Sequence, residues 1–319
     1  MRIERILLPA ALLWFATLPA GRAALVQKAP PIPSADEPLL VADVAPEFRD
    51  TLPRNFRTTD TPLPAGTSPM PSTAGLADLH MSGSAAFTAP SLTLLLARLH
   101  GPVTVFDLRQ ESHLLLDGLP VSWYATNNWA NAGRSHEMVE ENETERLRAL
   151  VPGTKLSLGD EKTKKDGTPA GPPEVCTVTH ATSERTLVEA AGARYVRLTV
   201  SDHARPLDVE VDRFILAVRA LPADAWVHFH CRAGRGRTTT FMALYDMLRN
   251  AGRVSLADIA RRQEVLATDY DVLQPAEAGT WKAPYTDDRI AFVRAFYDYA
   301  RANPGGRPQL WSEWLSRRP

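Results

Sequence analysis

A cysteine and an arginine with the spacing needed for phosphate chemistry follow an apolar run in the second half of the chain. Cys231 is followed by two glycines, Gly234 and Gly236, and then by Arg237. The glycines allow backbone angles that turn successive amide groups toward a bound anion, and the arginine can bind two oxygens of that anion at once. The pattern predicts a phosphate cradle, residues 231–237, with a cysteine nucleophile at its floor.

The segments on either side indicate how this cradle is held. Residues 225–230 have the character of a short buried strand, and residues 238–250 carry apolar side chains at helical spacing. The cradle then lies at the amino end of a helix, whose dipole favours the thiolate form of Cys231. Thr238 can donate a hydrogen bond to that sulfur. An inert core cysteine is the alternative, but the glycines, strand, helix and threonine all agree with a cradle.

A second segment that could perform chemistry precedes the cradle. Residues 193–200 alternate as a strand and lead into Asp202, and residues 208–221 form the predicted helix between the two loops. An aspartate on such a loop suits a mobile general acid that protonates a leaving group. A turn or capping role is the alternative, because aspartate is common in turns.

Four stretches of the chain together resemble one known family. They are HCRAGRGRTTTF at 230–241, VSDHARP at 200–206, DLRQESH at 107–113 and LPRNFRT at 52–58. The first is similar to the signature loop of the cysteine-dependent phosphatases. Together they resemble the protein-tyrosine-phosphatase-like inositol phosphatases, or cysteine phytases, over residues 52–299. The acid loop of the superfamily is often written WPD; the tryptophan is absent here, and the SDHxxP form looks like the inositol phosphatases.

The resemblance implies an α/β fold, in which a protein-tyrosine-phosphatase-like core with a central sheet flanked by helices carries a small inserted β-rich domain. It implies that His203 reaches the pocket, and that Arg57, otherwise a solvated surface charge, does so too. Lys282 resembles a family lysine that pairs with phosphates. The predicted binding residues of the cradle itself are Arg232, Ala233, Gly234, Arg235 and Gly236.

Two charged residues follow a buried strand predicted at 103–108. Arg109 and Glu111 lie just past its carboxyl end, where α/β sheets place their sites. Either they take part directly in catalysis, or they form a buried ion pair that supports the signature loop.

Weaker candidates complete the predicted site. Gln263, on a helix predicted from residue 255, resembles the superfamily's water-positioning glutamine, although a helical glutamine usually just faces water. His230 supports the cradle from the strand, on the same face as His228. These two histidines have no clear third ligand, so neither a metal nor a cofactor is predicted.

The chain has 319 residues, of which 44% are apolar and 23% charged, an ordinary globular composition. We divide it into a signal peptide at 1–23, an extended arm at 24–45, a phosphatase core at 46–116 and 191–319, and an inserted small β-rich domain at 117–190. The net charge of −1 predicts no general attraction to nucleic acid or membrane. Nothing in the sequence indicates an oligomeric state.

The N-terminus is typical of an exported protein. Arg2 and Arg5 precede an apolar run at 6–18 and small residues at 20–24, which is the pattern of a cleavable secretory signal. A membrane anchor is the alternative, but the run is short for a bilayer. We therefore expect a periplasmic or secreted protein. Its two cysteines are expected to be free thiols, because a nucleophile locked in a structural disulfide could not react.

The sequence thus predicts an enzyme that removes phosphates from inositol polyphosphates through a phosphocysteine. A tyrosine or dual-specificity phosphatase would use the same loop, but it needs a deep slot with an aromatic wall that no segment here predicts. A non-catalytic inositol-phosphate-binding module would be expected to lack the nucleophile or the acid. The side chains that favour a substrate with several phosphates are Arg232, Arg235, Arg237, His203, Arg205 and Lys282.

Overall fold

The computed structural model describes residues 27–31, 38–160, 171–266 and 269–318. The signal peptide predicted at 1–23 lies outside these residues and stays a prediction. Among the helices that the structure describes, none combines the length and the apolar character needed to cross a membrane.

Strands and helices alternate through much of the described chain. The strands are β1 (Leu39–Ala42), β2 (Arg57–Thr58), β3 (Met81–Ser84), β4 (Val103–Asp107), β5 (His113–Leu116), β6 (Leu119–Tyr124), β7 (Lys155–Leu158), β8 (Glu174–Thr177), β9 (Ala181–Thr182), β10 (Arg194–Arg197) and β11 (Trp226–His230). The helices are α1 (Ala89–Leu96), α2 (His136–Ala149), α3 (Glu184–Ala190), α4 (Asp208–Arg219), α5 (Gly236–Asn250), α6 (Leu256–Leu266), α7 (Ala283–Ala302) and α8 (Trp311–Ser316).

The central sheet has the strand order β10-β4-β11-β3-β2. Its first four strands are parallel, and β2 pairs antiparallel at the edge. Strand β11 is therefore flanked on both sides, and all of its residues are buried. A continuous buried run of this kind is typical of a parallel strand covered on both faces, so the carboxyl end of β11 delivers Cys231 to the middle of one sheet edge.

The two faces of this sheet carry different helices. Val227 and Phe229 of β11 pack into a core with α4 to α8, whereas Trp226 packs into a second core with α1 and α3. The division follows from the strand geometry, because successive side chains point to opposite faces. The arrangement is the α/β core with flanking helices that the sequence predicts.

Two smaller sheets lie outside the central sheet. A second sheet has the order β1-β6-β5-β9, and β7 pairs with β8 alone. Strand β1 lies inside the segment predicted as an extended arm, and β5 and β6 form one antiparallel pair across the predicted boundary at 116–117. The pairing of β1 with β6 is a long-range contact that a proline-rich local pattern does not reveal. The division into domains stays a prediction.

Candidate active site

The backbone of the cradle turns sharply between β11 and α5. Gly234 has a φ of 69°, in the left-handed region that favours glycine. A Cβ atom built on Gly234 would lie 2.4 Å from backbone atoms of Ser84 and Ala85. A side chain would therefore force the loop away from β3, and glycine is required here. Helix α5 begins at Gly236, two residues earlier than the predicted start.

The cysteine lies at the floor of the cradle, between the end of β11 and the amino end of α5. Only 3% of Cys231 is exposed. Its Sγ accepts a hydrogen bond from Thr238 Oγ1 at 3.2 Å, which is the contact that the sequence predicts for this pair. Both this cysteine and Cys176 are free thiols.

Arg237 is fixed by a two-pronged ion pair with Glu111. Its Nη1 and Nη2 lie 2.6 Å and 2.8 Å from the two carboxylate oxygens. Burial alone would lower the pKa of Arg237, but the carboxylates of Asp202 and Glu111 outweigh burial and raise it, so the guanidinium stays charged. Its Nε has no hydrogen-bond partner among the described residues, which leaves a donor for a bound anion.

Of the two alternatives for Arg109 and Glu111, support of the loop fits their positions better. Glu111 aligns Arg237 as described above. Arg109 lies in a separate, fully buried ion cluster, where its Nε is 2.8 Å from Asp107 and another nitrogen contacts Glu184. His230 joins the same cluster, with Nε2 2.9 Å from Glu184 Oε1. The strand end beneath the cradle is therefore held by buried charges.

Asp202 lies beside the cradle and is held from several directions. Its Oδ2 is 3.4 Å from Arg237 Nη2 and 3.3 Å from Asn128 Nδ2, and its Oδ1 accepts a hydrogen bond from the His203 amide at 3.0 Å. Burial raises the pKa of Asp202, but the charges of Arg237 and His203 and the Asn128 hydrogen bond outweigh burial and lower it. The lowered pKa favours the ionised form of the carboxyl group.

Cys231 opens into a cavity of about 520 Å³. Its lining brings together six of the side chains that the sequence predicts for the site. These are Asp202, His203, Cys231, Arg235, Arg237 and Lys282.

One cation of the cavity was not predicted. Arg289, on α7, is only 8% exposed and lines the cavity. Its guanidinium carbon lies 5.6 Å from the ring centre of Tyr270, and its Nε has no hydrogen-bond partner among the described residues. Lys282, Thr286 and Arg289 are spaced four and three residues apart, so they share one face of the helix. That spacing from Lys282 is the signal that could have found Arg289.

Arg57 requires a correction. The sequence predicts that it reaches the substrate, but the structure places it behind the cradle, outside the cavity lining. Its Nη1 donates to the Gly234 carbonyl at 2.8 Å, and its Nη2 donates to Thr239 Oγ1 at 3.1 Å. Burial lowers its pKa to about 10. Because β2 pairs with β3, the side chain is directed under the loop and supports it.

Three further side chains lie outside the cavity lining and are corrected for the same reason. Arg232 Nε lies 2.7 Å from Asp43 Oδ1, which ties the cradle to the end of β1. Arg205 pairs with acidic groups of α4 and α7, and Gln263 is fully buried and donates to Asp246 on α5. Their partners are distant in sequence or on other elements, so each side chain is directed into the protein rather than toward a substrate.

One group of potential metal ligands lies within the described residues. Asp107, His113 and Glu184 are close enough to share an ion. However, Arg109 and Arg197 lie 2.8 Å and 3.2 Å from the Asp107 carboxylate. Since these guanidinium groups already supply positive charge, the cluster is balanced as an ion network, and it does not line the cavity.

The fold and the site together have the arrangement of the cysteine-dependent phosphatase class. The features of this class are a nucleophile at the end of a central parallel strand, a helix amino end, an arginine and a neighbouring acid.

The family model for protein-tyrosine-phosphatase-like phytases, described as "Inositol hexakisphosphate", matches residues 106–249. The chain is similar to the structure of a PTP-like phytase from Bdellovibrio bacteriovorus, with 40% identity, a TM-score of 0.75 and coverage of 92% of this chain and 100% of that one. The chain therefore belongs to the protein-tyrosine-phosphatase-like phytase family, as the sequence resemblance predicts.

Two further relatives are longer than this chain. One is the PTP-like myo-inositol phosphatase from Mitsuokella multacida in complex with myo-inositol-(1,3,4,5)-tetrakisphosphate, with 35% identity, a TM-score of 0.80 and coverage of 89% of this chain. The other is the effector protein hopD2 of Pseudomonas syringae pv. tomato, 34% identical over 93% of this chain. The chain spans 50% of the Mitsuokella chain and 64% of the effector.

Proposed function

We propose that this protein removes phosphates from inositol polyphosphates through a phosphocysteine intermediate. The cations around one cavity carry the proposal: His203, Arg235, Lys282 and Arg289 line it in addition to Arg237 of the cradle. A single phosphate needs only the cradle, so cations beyond it fit a substrate that carries several phosphates. The inositol tetrakisphosphate bound by the Mitsuokella relative supports this substrate class.

The first step transfers a phosphoryl group to the cysteine. Cys231 Sγ attacks phosphorus, so the S–P bond forms while the bond from phosphorus to the inositol oxygen breaks. Asp202 gives its proton to that oxygen, which leaves as an alcohol. The cradle amides and Arg237 balance the charge on the transferred oxygens throughout.

The second step returns the enzyme to its starting state. A water molecule gives a proton to Asp202 and attacks phosphorus, and the S–P bond breaks. Inorganic phosphate leaves, and the electron pair returns to Cys231 as a thiolate. The hydroxyl of Thr238, 3.2 Å from the sulfur, stabilises that thiolate as it departs.

The lowered pKa of Asp202 in the free enzyme agrees with this mechanism. Arg237 is the largest attractive influence on that carboxylate. A phosphate dianion in the cradle would engage the same guanidinium and would add negative charge next to Asp202. Both changes raise the pKa of the carboxyl group, so substrate binding favours the protonated form of the acid.

The main alternative is a phosphatase for phosphotyrosine. Tyr270 does supply one aromatic ring to the cavity wall. Nevertheless, the Arg289 guanidinium lies 5.6 Å from that ring, so this part of the wall is cationic and suits a second phosphate better than an apolar ring.

A phosphate-release assay with inositol hexakisphosphate, a phosphotyrosine peptide and a small aryl phosphate tests the proposal. We expect the highest kcat/KM for the inositol substrate, and a higher value for the peptide would contradict the proposal.

Lys282→Ala is expected to raise KM for inositol hexakisphosphate by roughly twofold to fivefold, since a partly exposed ion pair contributes up to about 1 kcal/mol. Turnover of the aryl phosphate, which contacts only the cradle, should not change. The effect on KM should shrink as salt is added, because mobile ions screen the lost attraction. Equal losses on both substrates would assign Lys282 to the fold rather than to the substrate.

Arg57→Ala provides the matched comparison. We expect roughly tenfold lower kcat/KM on both substrates alike, because the buried Gly234 carbonyl loses its donor and such a loss costs about 1–3 kcal/mol. The substitution distorts the cradle, which both substrates use. A loss confined to the polyphosphate would contradict this supporting role and would indicate that Arg57 contacts the substrate.

A further inference from the structure

Two consecutive residues outside the cradle contact Asp202, one at its main-chain carbonyl and the other at its side-chain carboxylate. Trp129 Nε1 donates a hydrogen bond to the main-chain carbonyl of Asp202 at 2.8 Å. Asn128 Nδ2 lies 3.3 Å from the carboxylate of the same residue. Asn128 also donates to Glu111 Oε1 at 2.8 Å, so the contact is coupled to the ion pair that aligns Arg237.

The turn that presents these side chains has an uncommon backbone. Asn127 and Asn128 have φ values of 56° and 63°, in a region that asparagine tolerates better than most residues. His203, directly after the acid, is also left-handed, with a φ of 65°. Left-handed residues therefore occur on both sides of the contact, and conformations of this kind persist where the surroundings fix them.

Aromatic packing fixes the indole in place. Trp129 is 7% exposed. Its ring meets Trp281 at 5.6 Å and Tyr285 at 5.3 Å, both edge-on. Trp281 in turn contacts the His203 ring at 5.1 Å. The indole N–H thus has little freedom to leave the Asp202 carbonyl, and the acid loop is packed against the start of α7.

We propose that Trp129 is a positioning residue for the general acid. Its N–H fixes the main chain of the acid loop so that the Asp202 carboxyl group faces the leaving oxygen above Cys231. The acid loop has no tryptophan of its own, and this indole comes from a turn that lies between β6 and α2. The inference rests on the proposed acid role of Asp202, and it assigns to Trp129 no contact with the substrate.

The test uses Trp129→Phe, which keeps a six-membered aromatic ring and removes the five-membered ring that carries the hydrogen-bond donor. Two substrates are compared: inositol hexakisphosphate, whose alkoxide leaving group needs a proton, and an aryl phosphate with a strongly acidic phenol, which does not. The compared quantity is kcat/KM, which covers the steps up to formation of the phosphocysteine and so excludes the later step in which Asp202 acts as base. We expect kcat/KM for the inositol substrate to fall roughly 10- to 100-fold, the scale of a misplaced catalytic group. For the aryl phosphate it should fall less than about twofold, because general acid assistance adds little there.

Tyr285→Phe is the matched control. It removes one hydroxyl from a ring that packs on Trp129 and does not change the hydrogen bond to Asp202. The variant should keep the wild-type ratio of kcat/KM for the two substrates. That ratio does not depend on the fraction of folded protein, so a poorly folded preparation of Trp129→Phe still decides the question.

Asp202→Asn separates the two levels of the proposal. If Asp202→Asn lowers kcat/KM selectively for the inositol substrate and Trp129→Phe does not, the positioning role is wrong while the proposed function stands. If Asp202→Asn shows no selective loss of kcat/KM for the inositol substrate, the acid role itself is wrong. Equal losses on both substrates for Trp129→Phe would overturn the inference, because they indicate a merely structural residue.

Discussion

A Cys231→Ser protein is expected to release no phosphate from any substrate, with a loss on the order of 10⁴-fold or more, as when a covalent nucleophile is removed. A serine hydroxyl is a much weaker nucleophile than a cysteine sulfur, so the attack on phosphorus does not occur. The measurement is phosphate release from inositol hexakisphosphate under saturating conditions. Substantial remaining activity would contradict the mechanism.

Substrate binding by the same variant is expected to survive. The cradle amides and Arg237 remain, and the Glu111 ion pair at 2.6 Å and 2.8 Å keeps the guanidinium in position. Calorimetric titration with inositol hexakisphosphate should give a Kd within a few-fold of the Michaelis constant of the unmodified enzyme. Loss of binding together with activity would show that the substitution had disrupted the cradle instead of removing only the nucleophile.

Asp202→Asn is expected to reduce turnover of inositol hexakisphosphate by roughly 10²- to 10⁴-fold, the usual contribution of a general acid. The amide keeps the shape of the carboxyl group, but it can neither supply a proton to the alkoxide nor accept one from water. Asp202 is more than 3 Å from both Arg237 and Asn128, so an amide fits the same space. A variant with an unchanged rate would remove Asp202 from the mechanism.

The pH dependence follows from the same group. The pKa of Asp202 is lowered in the free enzyme, so its proton is lost at low pH. Because kcat/KM reports the free enzyme, it should fall as the pH rises from the acid side. In the complex the phosphate charge raises that pKa, so the alkaline limb of kcat should lie at higher pH than that of kcat/KM. In Asp202→Asn this limb should flatten, and an unchanged profile would contradict the assignment.

The sequence predicts the centre of the site well because its signals are local. The strand before Cys231 and the helix after it are observed as Trp226–His230 and Gly236–Asn250, close to the predicted segments 225–230 and 238–250. A glycine with a positive φ, an apolar strand and a helix start each depend on neighbouring residues, so a short stretch encodes all of them. The α/β class and the family follow from this stretch and its companions.

The remaining parts of the site depend on contacts between distant segments. Arg232 is directed away from the cavity by its ion pair with Asp43, which directly follows β1 and is distant in sequence. Arg57 supports the cradle because β2 happens to pair beside β3. Trp129 acts on Asp202 across 73 residues of sequence. A charged or aromatic residue gives no local sign of which partner it will meet, so each of these side chains required the structure.

The phosphocysteine itself provides the most direct test of the proposed mechanism. Asp202→Asn, mixed with an activated aryl phosphate, can complete the first step without an acid but lacks the base for the second. After rapid denaturing quench, mass spectrometry should find one added HPO₃ group per chain, on the peptide that contains Cys231. Steady phosphate release with Cys231 unmodified, or the added group on another residue, would contradict the mechanism.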